Sequence, residues 1–195
     1  MESAVTFRAK SSYLFAAIGA VLCLIALWSG IVVGGVRNIF TVALWDIAAL
    51  SFLYLSFIKP KVEIGDEGII VTNPVRTSAI GWSEVIDIGA KWNLYIQTAD
   101  RTINAWAAPA PSRRHNRKIH ASEVRGMKSA DNYYISPAVS PRSESGVALH
   151  LAEIRWHAFQ SKKNNRTLLA ESTNDWRVVA LLVVALVCAM ALTLY

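Results

Sequence analysis

The chain is short of the residues that make redox, metal and nucleotide sites. It has two cysteines in 195 residues, Cys23 and Cys188, and both lie inside apolar runs. No CxxC pair occurs, and a thiol in such a run behaves as a small apolar group, so neither a disulfide framework nor a zinc ribbon is implied. There is also no GxxxxGK[ST] loop, no G-x-G-x-x-G turn and no GxSxG elbow. That removes the standard phosphate cradles and the serine-hydrolase nucleophile. Charge is scarce as well, at 17% of residues against 53% hydrophobic, with a mean hydropathy of +0.33. A soluble domain of this length carries more charge.

What charge there is lies in the middle. Residues 59–177 hold 17 of the 20 Lys and Arg and 12 of the 14 Asp and Glu. The apolar residues collect in three runs. Tyr13 to Val36 has no charge, Ile39 to Ile58 is interrupted only by Asp46, and Val178 to Tyr195 has none. At about 1.5 Å per helical residue the first two can cross the roughly 30 Å hydrocarbon core, and the third is near the lower limit. The first is too long for the apolar region of a secretory signal, which runs to about 15 residues. Spans at 13–36 and 39–58, joined across Val36-Arg37-Asn38, form a helical hairpin, with a third span at 178–195.

Arg8 and Lys10 precede the first run, Lys59 and Lys61 follow the second and Arg177 precedes the third, with only Arg37 in the hairpin loop. The positive-inside rule then places residues 1–12 and 59–177 in the cytoplasm and the C-terminus outside, as in a multi-pass cell-membrane protein.

Within 59–108 the rhythm is that of strands. Runs at about 61–64 and 69–73 flank the turn Gly65-Asp66-Glu67-Gly68. VRTSAI and WSEVIDI follow, and WNLYIQTADRTINAWA closes as a hairpin. Six short strands with tight turns predict an antiparallel meander curling into a sandwich or barrel. From 109 to 145 the chain is Pro-rich and basic, with four of the six prolines, and reads as an insertion or linker; Tyr133 to Ile135 is a candidate extra strand. GVALHLAEIRWHAFQSKK, 146–163, returns to helical spacing. Its predicted buried face is Val147, Leu151, Ile154 and Ala158, flanked by Ala148 and Phe159, capped by Ser143 or Ser145 and packed on the β domain. Residues 164–177 read as a linker.

The segments IGDEGIIV, IGWSEVIDI and WNLYIQTADRTINAWA, followed by an amphipathic helix, resemble a bacterial PH-like domain of the kind found in small, uncharacterised actinobacterial membrane proteins. The resemblance implies seven strands before the helix, one more than the six read here. Lipid-binding PH domains gather Lys and Arg around the first strand hairpin. Here that turn reads GDEG, and its acids repel phosphate. The resemblance thus implies the fold and not phosphoinositide binding at the usual place. The whole reads as an α+β membrane protein: a helical hairpin, a PH-like β domain with its helix, and a final span.

No constellation of residues points to an enzyme, and no cofactor is expected. His150, Glu153 and His157 share a helical face at metal-ligand spacing, but a solvated flank is the commoner reason for such a trio, so no metal is expected. Asp46 is the sharpest polar residue, since a carboxylate inside a span costs about 2.5–3.5 kcal/mol and usually faces protein or water. It supports a transport-related alternative; the plain reading is a hydrogen bond to a neighbouring span, through Ser29 for instance. Gly30 and Gly34 form a GxxxG step, and Ala185 with Ala189 a small-residue pair, both suited to helix packing within the hairpin or in a homo-oligomer.

Arg113, Arg114, Arg117, Lys118, Arg125 and Lys128 stand against Glu123 alone in 111–128. Held near a membrane, they are expected on the anionic inner leaflet, where each cation is worth about 1 kcal/mol. Nucleic-acid binding through this segment is the weaker alternative. The favoured function is a protein-interaction or scaffold module at the inner membrane face, with an unidentified protein partner. Trp82, Trp92 and Trp106 are the candidate partner surface, although burial in the core is the ordinary fate of each. Docking is expected at the meander's exposed edge or in the groove beside the helix.

Overall fold

The computed structural model describes residues 4–109, 143–161 and 168–194, in two compact units. Residues 10–59 and 174–195 make a helical unit; residues 1–9 and 60–173 make a β unit. The candidate strand at 133–135 and the basic segment 111–128 lie outside the described residues.

The β unit holds two antiparallel sheets. The larger has the order β1 (Val5–Phe7), β2 (Lys61–Ile64), β3 (Gly68–Thr72), β4 (Arg76–Gly81) and β8 (Glu171–Asn174). The smaller holds β5 (Val85–Ala90), β6 (Asn93–Thr98) and β7 (Thr102–Pro109). Of the expected sandwich or barrel, the structure therefore has two antiparallel sheets and not a closed barrel. The Trp82–Glu84 step between β4 and β5 is a 3-10 turn that carries the chain from one sheet to the other. Strand alternation is as period-two spacing requires. Val62, Ile64, Ile69, Val71, Ile80, Leu94, Ile96 and Ala105 point inward and are almost fully buried. Each large aliphatic there contributes about 1.5–3 kcal/mol.

Two strands are additions to the sequence reading. β1 pairs with β2 at Val5↔Ile64, Thr6↔Glu63 and Phe7↔Val62, inside what reads as a featureless N-terminus. It supplies the seventh strand before the helix. The apolar hairpin is therefore an insertion between the first and second strands. β8 lies in the expected 164–177 linker; it is polar and exposed throughout and borders β4.

Helix α3 (Glu144–Ser161) packs on β5, β6, β7 and β2. Ser143 caps it, its Oγ accepting the Gly146 N–H at 2.9 Å. The buried face is Ala148, Leu149, Ala152 and Trp156, with Leu151 and Phe159 packed against the core beside it; its centre lies about one residue from the one predicted. Val147 and Ile154 remain 39% and 49% exposed. Spacing fits both stripes; the alanines win because they let the helix backbone approach the sheets, and Trp156 fills the remaining space.

In the helical unit α1 (Lys10–Val33) and α2 (Val36–Leu53) run antiparallel, and α2 continues through one π-type turn, Tyr54–Ile58. Phe15 meets Phe57, Gly19 meets Leu53 and Gly30 meets Val42, a constant register along the pair. The hairpin turn is Gly34–Gly35, with φ of 85° and 92°, a region L side chains avoid. This corrects the expected loop at 36–38: Arg37 and Asn38 lie in the first turn of α2. It also corrects the role of Gly34, which serves turn conformation, while Gly30 alone serves packing. Helix α4 (Arg177–Leu194) packs on α2 and buries Ala185 and Ala189. The small-residue pair is thus used within the chain. Lys59 pairs with Asp175 at 3.2 Å at one end. At the other, Arg37 donates to the Leu192 carbonyl at 2.8 Å, capping the α4 C-terminus. α1, α2 and α4 are each long and apolar enough to cross a membrane.

Candidate functional site

The Gly65–Gly68 turn is the first place to look, because its acids are unusual in such a hairpin. It is a structural knot. Gly65 N–H donates to the Gly68 carbonyl at 2.9 Å, and the Glu67 carbonyl accepts the N–H groups of Trp82 and Leu168. Asp66 pairs with Arg155 of α3, so the acidic turn fastens the helix to the sheet. Because β1 is the first strand, this turn belongs to the second hairpin. The first strand connection, where lipid-binding PH domains place their cations, is here the insertion carrying α1 and α2.

Trp82 leaves the list of partner-surface candidates. Its side chain is 1% exposed and its Nε1–H donates to the Gly65 carbonyl at 3.0 Å. Trp92 and Trp106 are 72% and 55% exposed. Both flank the outer face of the smaller sheet, where Asn93, Tyr95 and Gln97 of β6 alternate with buried Leu94 and Ile96. The Tyr95 hydroxyl donates to Asp87 at 3.0 Å. Burial, and then that bond to the carboxylate, push it above the ordinary tyrosine range.

Beside this face lies a cleft of about 570 Å³. It is lined by the β3–β4 turn (Asn73, Pro74, Val75), by Arg76 and Ser78 of β4, by Asn93 of β6, and by Arg101, Thr102, Ile103, Asn104 and Trp106 around β7. A second hollow of about 460 Å³ adjoins it, shares Asn93, Thr102 and Asn104, and adds Lys91, Trp92, Tyr95 and Gln97. Asn73 decides how the first cleft is built. Its Nδ2 donates to the Asn104 carbonyl at 2.8 Å and its Oδ1 accepts the Trp106 N–H at 2.9 Å. One side-chain amide thus occupies the outer edge of β7 and holds the turn of the other sheet against it. β8 occupies the edge of β4. The middle of the β7 edge is therefore already bonded within the domain.

The other sequence candidates lie elsewhere. His150 and His157 are exposed on α3, with the His157 ring stacked on Trp156. No group of three or more His, Cys, Asp or Glu able to hold a metal occurs among the described residues. In the helical unit the Cys23 thiol of α1 faces the Asp46 carboxyl of α2, in place of the expected Ser29, which is exposed. Asp46 Oδ2 is buried with no hydrogen-bond partner among the described residues. Arg113, Arg114, Arg117, Lys118, Arg125 and Lys128 lie outside the described residues.

One family model matches part of the chain. Residues 59–118 match a bacterial PH domain. The match covers β2 to β7 of the PH-like domain and leaves β1 and α3, which the structure adds to it on either side. No curated protein and no solved structure matches the chain.

Proposed function

We propose that the protein is a multi-pass membrane protein that presents its PH-like domain as a non-enzymatic protein-interaction module at the inner face of the cell membrane. The observation that carries this reading is the way the chain alternates between units. The PH-like domain connects to the apolar helices before α1, after α2 and before α4, and the helical contacts place those three helix ends together. Three chain connections at one end of the helices favour a domain on one side of a membrane. The excess of Lys and Arg at the flanks of the helices supports the cytoplasmic side for it. The exposed Trp92 and Trp106 on a sheet face supply the aromatic anchors on which binding surfaces depend.

Proximity labelling from the PH-like domain in its native membrane tests the reading. Enrichment of a specific protein over a control carrying only the three helices is expected; an identical set from both would refute it.

A second reading, a transport-related one, is favoured by a single observation, the partnerless buried oxygen of Asp46. It predicts that Asp46→Asn abolishes a proton or ion flux in proteoliposomes while the protein still folds. An unchanged flux would end it.

A further inference from the structure

The cleft beside β7 has a chemistry more particular than an aromatic patch. Its lining includes Arg76 and Arg101 and no carboxylate, and the hollow that adjoins it adds Lys91 and again no carboxylate. Arg76 begins β4 and Arg101 closes the β6–β7 turn, so the two guanidinium groups come from different sheets. Neither guanidinium is held by an ion pair or side-chain hydrogen bond among the described residues. The five donors of an arginine fit a carboxylate, and no carboxylate among the described residues holds either of these two. Between and beyond the arginines the walls are amide and aromatic: Asn73, Asn93, Asn104, Trp106 and then Trp92.

We infer that this trough binds an extended acidic peptide segment of a partner protein, with Asp or Glu side chains on Arg76 and Arg101 and the chain passing across Trp106 toward Lys91 and Trp92. The inference rests on the interaction-module reading and names the partner's chemistry. Charge complementarity selects an acidic ligand, and bidentate Arg–carboxylate pairs are the strong form of that contact. Shape selects a chain: two adjoining hollows sharing three residues suit an extended segment better than one compact headgroup. Because Asn73 already holds the Asn104 carbonyl and the Trp106 N–H, recognition runs through side chains and does not extend the sheet.

The test uses the full chain in zwitterionic nanodiscs and a fluorescein-labelled octapeptide alternating Glu with Gly, with its Gln counterpart as the neutral probe, read by anisotropy. The Glu peptide is expected to bind and the Gln peptide to bind about tenfold more weakly or not at all. Arg76→Ala with Arg101→Ala should weaken the Glu peptide by about tenfold or more, the scale of losing one or two charge-assisted hydrogen bonds. Arg76→Lys with Arg101→Lys should recover part of the loss, and Arg113→Ala with Arg114→Ala should change little. An unaltered thermal melt of the double alanine variant shows that it folds. Equal binding of both peptides, or a loss confined to the 113/114 variant, overturns the inference. So does competition by anionic vesicles that survives Arg76→Ala with Arg101→Ala, since it places the peptide on a lipid-binding surface elsewhere. A specific partner enriched by proximity labelling while the Glu peptide fails would leave the module reading standing and remove only the acidic chemistry.

Discussion

The two units use the same residue types to opposite ends. In the β unit Val62, Ile64 and Ile69 are 0–1% exposed; in the helical unit Leu22, Val33 and Leu24 are 61%, 75% and 67% exposed. Apolar content cannot tell these situations apart, but periodicity can. The β unit alternates, so each strand has an inside and an outside, and hydrophobic burial against water defines its core. α1 is apolar on nearly every face, and contacts such as Phe15 with Phe57 and Gly30 on Val42 tell one side from another. That is the pattern of helices whose surroundings are themselves apolar, where association depends on close packing and a few polar ties. The chain thus carries one unit with a core set off from water and one whose helices are apolar on their outward faces and long enough to cross a membrane.

The largest expected effect falls on the first of these. Trp82→Ala removes a buried indole and strands the Gly65 carbonyl, and should cost about 3–5 kcal/mol. Leu22→Ala, which faces outward from α1, should cost less than about 1 kcal/mol. Denaturant unfolding followed by hydrogen exchange on β2–β7 and on α1 separates the two. Equal losses would break the contrast between the units. Gly68→Ala comes next, at about 1–3 kcal/mol. An added Cβ there would run into the Ile80 carbonyl, a backbone atom that cannot move aside, and exchange should quicken in β3 and β4. Asn73→Ala removes the two bonds that hold the β3–β4 turn on β7. It should cost about 1–3 kcal/mol and raise exchange at the Trp106 amide before it raises it elsewhere in β7.

The smallest effect is a pH dependence at the exposed end of the helical unit. The Lys59 ammonium, followed by the Arg177 N–H, holds the Asp175 carboxyl below the usual carboxylate range. A depressed folded-state value means the contribution is present above the unfolded value of about 4 and is lost as pH falls through the lower folded one. Thermal melts of the wild type and Asp175→Asn should therefore differ slightly at pH 7 and converge below about pH 4. A difference that grew on acidification would contradict the pairing.

How much of this was legible in the sequence follows from the same contrast. The three apolar runs and the strands from β2 to β7 were legible because length and alternation are long-range patterns that single residues cannot hide. β1 and β8 were not. Val5–Phe7 is too short to show a period, and Glu171–Asn174 has no apolar residue at all; both are strands because a neighbouring strand offers them an edge. Gly34–Gly35 was readable as a turn, yet the GxxxG spacing drew attention to packing instead. On α3 the spacing shows Ala148, Leu151 and Phe159, while Ala152 and Trp156 lie one step off the large aliphatics that set the stripe. In the candidate site Trp92 and Trp106 stand out as aromatics in the sequence, but burial is the ordinary expectation for each and only the structure shows them exposed. Arg76, Arg101 and Asn73 were missed, since they sit in different turns and only folding brings them together. The one signal available was Asn73-Pro74, a turn whose Asn is free to bond sideways.

The central proposal is that the strands on either side of the helical hairpin, β1 before it and β2 to β8 after it, lie on one side of a membrane. Single cysteines at Thr6, Glu84, Thr173 and Gly35, placed in a chain with Cys23→Ala and Cys188→Ala, test it by labelling with an impermeant maleimide in sealed, oriented vesicles. Thr6→Cys, Glu84→Cys and Thr173→Cys should label from the same side and Gly35→Cys only from the opposite one. Labelling of Thr6→Cys from the side opposite Glu84→Cys would contradict the account, because β1 could then not pair with β2.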